Sequence, residues 1–244
     1  MNPDITDHDL GTYSPRWFRL FLDRIPSENT AAEIDFLAGQ LPLPAYRSIL
    51  DLCCGPGRHA HALARRGYEL TGVDRDEPAI ARARNRDPRG KYLFVDVRDM
   101  PPFSRPFDAA ICMWASFGGF TEAENQRLLE SVIANLRAGG RLVLDIYNPA
   151  FFQHAEPVRE RAVDGMRIVE RKRVDGDRLY VTLDYADGAS DNFQWQMFSV
   201  ADLSDRIAAL GGILVCACSE FSPQQPPSDR MPRMQLVFEA VQPS

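Results

Sequence analysis

The chain has 244 residues, 45% hydrophobic and 25% charged, the balance of a soluble globular protein able to bury its core without disulfides or a structural metal. With 28 basic and 34 acidic residues the net charge is −6, which disfavours a nucleic-acid partner. No run approaches the roughly 20 apolar residues of a membrane helix, and the acidic N-terminus is the reverse of a secretory signal. Five cysteines, an odd number, fit free thiols in a cytoplasmic setting, and lysine occurs only as Lys91 and Lys172. The one Gly-Lys pair, Gly90-Lys91, is followed by Tyr92, which excludes a phosphate-cradling P-loop.

From about residue 31 the pattern alternates helix and strand. Residues 31–41 carry helical spacing and stop before Pro42 and Pro44, and an apolar run over 48–54 ends in a Gly-Pro-Gly turn. A helix over 58–66 closes at Gly67. A strand over 68–74, a helix over 77–86 and strands over 91–97 and 107–114 follow. Thr121 is placed to cap a helix over 121–137, with Gly139-Gly140 beyond its end and a strand over 141–147. Apolar strands interleaved with helices predict an α/β fold, a parallel sheet covered on both faces.

Residues 158–198 alternate polar and apolar, with turns at Asp164-Gly165, Asp175-Gly176-Asp177 and Asp187-Gly188. They predict two or three antiparallel strands inserted into the α/β domain. The seven basic and five acidic residues of 158–178 read as an ordinary solvated sheet face. A helix over 200–210 and strands over 213–218 and 234–241 complete the chain, and the proline-rich stretch 222–232 reads as a mobile loop.

The chemistry is concentrated in Asp51-Leu52-Cys53-Cys54-Gly55-Pro56-Gly57-Arg58-His59, a strand delivering a tight glycine turn into a helix. Glycine lets a ligand approach the backbone, and the helix N-terminus offers free N–H groups. Asp74, at the end of the next strand, can accept both hydroxyls of a ribose. Gly55-Pro56-Gly57-Arg58-His59-Ala60 also satisfies a dinucleotide fingerprint, which leaves an NAD(P)-binding oxidoreductase as an alternative. Asp51, however, stands where a pyrophosphate needs positive potential, and suits an ammonium or sulfonium group instead. Asp96, ending the third strand, can accept from an adenine amino group, and an apolar fourth strand ends at Met113-Trp114.

With these motifs in this order, residues 30–149 and the final helix and strands resemble the class I S-adenosylmethionine-dependent methyltransferases. The family's D-x-G-x-G-x-G loop is present with Cys53 in place of its first glycine. The resemblance implies a doubly wound, seven-stranded, mostly parallel Rossmann-like sheet with its final strand antiparallel and an antiparallel β insertion. The implied division is 1–30 as an N-terminal lid segment, 31–149 and 200–244 as the cofactor domain, and 150–199 as a substrate-side insertion. It implies S-adenosyl-L-methionine as cofactor, held by Asp51, Cys53, Gly55, Gly57, Asp74, Arg75, Asp96, Val97, Met113 and Trp114. Tyr13 or Arg16 would close over it from the lid, and Trp114 would form a wall beside the sulfonium. The expected partner is a small-molecule methyl acceptor, methylated on nitrogen or oxygen, with no metal, nucleic acid or membrane involved. A non-catalytic cofactor-binding protein of this fold is a further alternative. Tyr147-Asn148-Pro149 resembles the NPPY motif of amino-methyltransferases but follows the fifth strand rather than the fourth, so it is read as a decoy. His59 is read as an exposed surface histidine, and no general base is evident.

Overall fold

The computed structural model describes residues 13–241. The first sheet is built from β1 (Ser48–Leu52), β2 (Glu69–Asp74), β3 (Lys91–Phe94), β4 (Phe107–Cys112), β5 (Leu136–Tyr147), β10 (Gly212–Cys218) and β11 (Arg233–Ala240), ordered β10-β11-β5-β4-β1-β2-β3. The β1, β2, β3, β4 and β5 pairings are parallel, while β11 runs antiparallel between β5 and β10. The strand order reverses at β1, whose neighbours are β2 and β4, and the crevice of a doubly wound sheet opens at such a point.

Helices α2 (Ser27–Gln40), α3 (Arg58–Ala64) and α4 (Glu77–Arg86) cover one face, packing Ile34, Leu37, Leu63 and Ile80 on Ile49 and Ile111. Helices α5 (Glu122–Ala134) and α7 (Val200–Ala209) cover the other, with Leu128, Leu129, Leu203 and Ile207 on Leu50, Leu142 and Leu236. Local chemistry fixes the helix starts. Thr121 and Glu124 form a reciprocal capping box at α5, Asp76 accepts from Ala79 N at 2.7 Å, and Ser199 accepts from Asp202 N. The strand after α5 begins at Leu136 rather than 141. Asn135 ends the helix early by bonding its side chain back to Ser131 O, and Gly139 and Gly140 lie within the strand.

The insertion is a separate sheet of four strands, not two or three: β6 (Val158–Val163), β7 (Met166–Asp175), β8 (Arg178–Tyr185) and β9 (Ser190–Gln196), antiparallel in that order. Three turns separate four strands, and polar, exposed β6 lacks the apolar signal that marks the others. Its inner face packs Ile168, Leu179, Leu183, Phe193 and Trp195 against Phe152 of α6 (Pro149–Phe152) and Leu20 of α1 (Pro15–Leu20). Nor is its charge simply a solvated face, because Glu170 and Lys172 pair at 3.3 Å with side chains only 15% and 17% exposed. The end of β9 docks on the segment after β4. Gln196 N donates to Gly118 O at 2.7 Å, and a Cβ on Gly118 would stand 2.4 Å from Gln196 O. The proline-rich stretch is anchored rather than free of contacts, since Asn148 donates to Ser228 O at 2.7 Å and Met231 O at 3.0 Å. No helix among the described residues is long and apolar enough to cross a membrane.

Candidate functional site

The turn after β1 is held open by left-handed backbone. Cys53, Gly55 and Gly57 have φ of 53°, 53° and 76°, so Cys53 keeps the conformation that glycine adopts most readily. A Cβ on Gly55 would meet nothing within 4 Å, which leaves room for a ligand against the backbone. Asp74 ties the turn to β2, accepting from Gly55 N at 2.7 Å through one oxygen and from Asp76 N at 2.8 Å through the other. Burial raises its pKa, against the pull of those two amides.

Asp51 is 1% exposed, and its Oδ2 has no hydrogen-bond partner. Burial and then the Asp74 charge push its pKa up to about 8, and Arg58 and the Ala60 amide offset this only in part. An unsatisfied buried carboxyl at the mouth of an open glycine turn fits a ligand that brings a cation or donor to it. Cys53 shares a thiol contact with Cys112, which together with burial raises its pKa.

Asp96 caps the turn after β3, accepting from Arg98 N at 2.9 Å and from Arg98 Nε and Nη2 at 3.0 and 2.8 Å, with Arg75 at 3.9 Å. Burial works against ionisation there, but Arg98 wins and holds the carboxyl below its usual range. Val97 and Met113 are buried in the two core clusters on opposite faces of the sheet.

Tyr13 stacks between Trp17 and Phe193, and its hydroxyl lies within electrostatic reach of Cys53, Asp74, Arg75 and Tyr147. It therefore spans the distance from the inserted sheet to the glycine turn. Arg16, the other lid candidate, is elsewhere: it makes a bidentate pair with Asp187 at 2.8 and 2.6 Å and lies over Tyr185. The first twelve residues of the expected lid lie outside the described residues.

Trp114 sits at φ 61° and Ala115 at φ 54°, a left-handed pair that turns the chain away from β4. Asp145 of β5 receives Trp114 N at 3.0 Å, Gln235 Nε2 at 2.9 Å and Arg233 Nη1 at 2.5 Å. The Trp114 ring already has Arg58 and Arg233 guanidinium carbons 5.1 and 5.3 Å from its centroid. Its Nε1 donates to Glu33 Oε1 at 2.8 Å, and the other Glu33 oxygen takes Arg58 and His59. His59 is 7% exposed, a correction to its reading as a surface residue. Its ring faces back to Glu33 of α2, a contact between segments that helical spacing does not reveal.

Glu33, Arg58, Asp145 and Arg233 were missed as site residues. Two sequence signals pointed to them: Arg58 stands in the glycine-turn stretch, and Glu33 is a carboxylate on the apolar stripe of a helix between Thr30 and Ile34-Phe36-Leu37. Among the described residues no three His, Cys, Asp or Glu side chains come together to hold a metal.

A doubly wound sheet with an acidic glycine turn, an acid at the end of β2 and another after β3 defines a nucleoside-binding class of protein. Residues 49–140 match a family described as a methyltransferase domain. The trans-aconitate 2-methyltransferase of Delftia acidovorans is 29% identical over 126 residues, 50% of this chain and 46% of that one. A glycine/sarcosine N-methyltransferase of Parasynechococcus marenigrum is 33% identical over 153 residues, 59% of this chain and 53% of that one. The chain thus spans about half the length of these curated relatives. Among solved structures, the sugar N-methyltransferase KedS8 from Streptoalloteichus has the same fold, with a TM-score of 0.74 at 22% identity over 95% of this chain and 96% of the other. The matched region thus resembles a methyltransferase domain, in a chain whose fold is that of solved S-adenosylmethionine-dependent methyltransferases.

Proposed function

We propose that the protein transfers a methyl group to a nitrogen or oxygen of a small molecule by in-line displacement. The observation that carries this is the pairing of an unsatisfied buried acid, Asp51, with an open glycine turn anchored by Asp74. S-adenosyl-L-methionine supplies a methyl group activated by its sulfonium, so the chemistry asks mostly for positioning and exclusion of water.

Each residue's part follows from its surroundings. Asp51 receives the amino group of the methionine moiety, and Asp74 the ribose hydroxyls. Asp96 and the Val97 backbone meet the adenine edge. Arg58 Nη2, buried without a hydrogen-bond partner, is the donor available to a carboxylate. Gly55 and Gly57 allow the close backbone approach, with Cys53 keeping the same left-handed turn. Tyr13 roofs the crevice and excludes water. Among the described residues, and with Asp51 assigned to the cofactor's amino group, no carboxylate or histidine stands free beside the crevice as a strong base, which favours an acceptor that sheds its proton to water, as an amine can.

Calorimetric titration with S-adenosylhomocysteine and, separately, with NADH tests the reading. S-adenosylhomocysteine binds and NADH does not; heat from NADH alone overturns it in favour of a dinucleotide oxidoreductase.

A further inference from the structure

We propose that the methyl acceptor carries a carboxylate and that Arg161, on the inserted sheet, receives it. The proposal rests on the methyl-transfer reading and adds to it the substrate class and the residue that selects it.

The register of the inserted sheet sets Arg161 opposite Ile168 and Ile168 opposite Tyr185. In the neighbouring rows, Glu170 is opposite Leu183, itself opposite Asp191, and Lys172 is opposite Val181, itself opposite Phe193. Directly opposed residues point to the same side of a sheet. Arg161, Glu170, Lys172 and Asp191 therefore share the face on which Ile168, Leu183, Val181 and Phe193 are buried against α1, α6 and Tyr147. A face that served only as core would be apolar.

Arg159, opposite Glu170, is exposed at the edge of this face; of the other four charged side chains the protein satisfies three itself. Asp191 accepts from the Tyr185 hydroxyl at 2.6 Å and from Ser14 Oγ at 2.8 Å, and Glu170 pairs with Lys172. Arg161 is the exception. Among the described residues it has no hydrogen-bond or ion-pair partner, its Nε is fully buried and unsatisfied, and its guanidinium has only the Phe21 ring beneath it, at 4.8 Å. An unpaired cation in a partly dried face is costly, and a guanidinium offers a planar fork that matches a carboxylate.

Arg161 also faces the right place. Tyr147, the last residue of β5, feels the charges of Arg161 and Arg233 together, and the Tyr13 hydroxyl feels Tyr147 on one side and Asp74 and Cys53 on the other. Tyr13 and Tyr147 both pack on the apolar cluster beneath the inserted sheet, with Arg161 within electrostatic reach of Tyr147 and the glycine turn within reach of Tyr13, so this face borders the place where the transferred methyl would lie. Arg233 is already held by Asp145 and Lys172 by Glu170, which leaves the Arg161 guanidinium without an anionic partner among the described residues. That suits a singly charged carboxylate better than a phosphate monoester.

The test uses the whole protein loaded with S-adenosylhomocysteine, titrated calorimetrically with acetate, succinate, benzoate and glycine, with the corresponding amides, and with inorganic phosphate. At least one acid binds with its amide at least tenfold weaker; Arg161→Gln weakens that acid at least tenfold, and Arg161→Lys restores part of the loss. S-adenosylhomocysteine affinity stays within twofold in both variants. Because the Phe21 ring is the one partner of the Arg161 side chain among the described residues, R161Q melts within about 5 °C of wild type; a larger fall makes it a structural residue and overturns the proposal. Silence from every acid, binding of phosphate alone, or equal binding by R161Q also overturns it. Failure of the wild-type protein to bind S-adenosylhomocysteine is a separate result, which sinks the methyl-transfer reading instead.

Discussion

The indole N–H of Trp114 donates to Glu33 across 2.8 Å, joining the end of β4 to a helix 81 positions earlier in the chain. The same carboxylate takes Arg58 and His59 from the first turn of α3. One buried acid therefore ties the segment after β4 to the helix that follows the glycine turn. Burial alone would raise its pKa; His59 and Arg58 together hold it at about 2, so it is ionised throughout the neutral range.

Trp114→Phe keeps an aromatic ring between Arg58 and Arg233 but removes the donor to Glu33. Leaving Glu33 Oε1 buried without it costs about 1–3 kcal/mol of stability. Trp114→Ala also removes packing, for about 3–5 kcal/mol. Thermal melting of the apo variants ranks them wild type, Phe, Ala. Turnover falls further in the Ala variant than S-adenosylhomocysteine affinity does, because the wall beside the transferred methyl is gone. A W114F melting curve that overlays wild type would show that the Glu33 bond stabilises nothing.

On the proposed reading Asp74 has two tasks, holding the glycine turn and accepting the ribose hydroxyls, and the first is visible in the fold. It already accepts from Gly55 N and Asp76 N, so Asp74→Ala loosens the glycine turn as well as removing the ribose acceptor. Cofactor affinity drops by about 30- to 150-fold, equivalent to roughly 2–3 kcal/mol, on the scale of hydrogen bonds to charged groups. An unchanged S-adenosylhomocysteine dissociation constant removes Asp74 from the site.

The parallel sheet was legible because most of its strands are apolar runs closed by a glycine, proline or acidic residue, and the helix cap at Thr121 is a local signal. The positions of Asp51, Gly55, Gly57, Asp74 and Asp96 followed from the same local grammar of strand, turn and helix. What the sequence hid is what depends on distant partners. His59 looks exposed until Glu33 is placed beside it, and Arg16 looks available to a cofactor until Asp187 takes it. The four-stranded insertion was undercounted because the exposed edge strand β6, Val158–Val163, carries Arg159, Glu160 and Arg161 in place of an apolar alternation.

Cys53 replaces a glycine without changing its backbone, and that substitution has a measurable consequence. A side chain in the left-handed region costs roughly 1–2 kcal/mol, and a β-branched one more. Cys53→Gly relieves this cost but gives up the contact with Cys112 and adds chain entropy to the unfolded state, so its melting temperature stays near wild type. Cys53→Val keeps a buried apolar side chain but clashes with φ 53°, and melts well below both. Equal melting of C53V and C53G would mean the turn does not hold the left-handed conformation in solution.

Asp51 gives the apo protein an unusual pH dependence. Its folded pKa lies above its unfolded value, about 8 against 3.8, because burial and the nearby Asp74 penalise the charge. Between those two values the folded state binds more protons than the unfolded one, so stability falls as pH rises; the penalty is absent below pH 3.8 and complete above about pH 8. Asp51→Asn keeps the shape without the ionisation and should abolish that slope. At pH 8.5 the apo variant melts about 5 °C or more above wild type, since a chain of this size shifts by roughly 2–4 °C per kcal/mol. Below about pH 4 the two converge. Cofactor binding reverses the ranking: an ammonium group beside Asp51 favours the carboxylate, so S-adenosylhomocysteine affinity of the wild type climbs as pH rises toward 8, up to the point where the ligand's own amine deprotonates. D51N shows no climb and binds at least tenfold more weakly. Parallel melting curves for wild type and D51N across pH 5 to 8.5 would show that Asp51 is already ionised in the apo protein, and that the oxygen without a partner has found one.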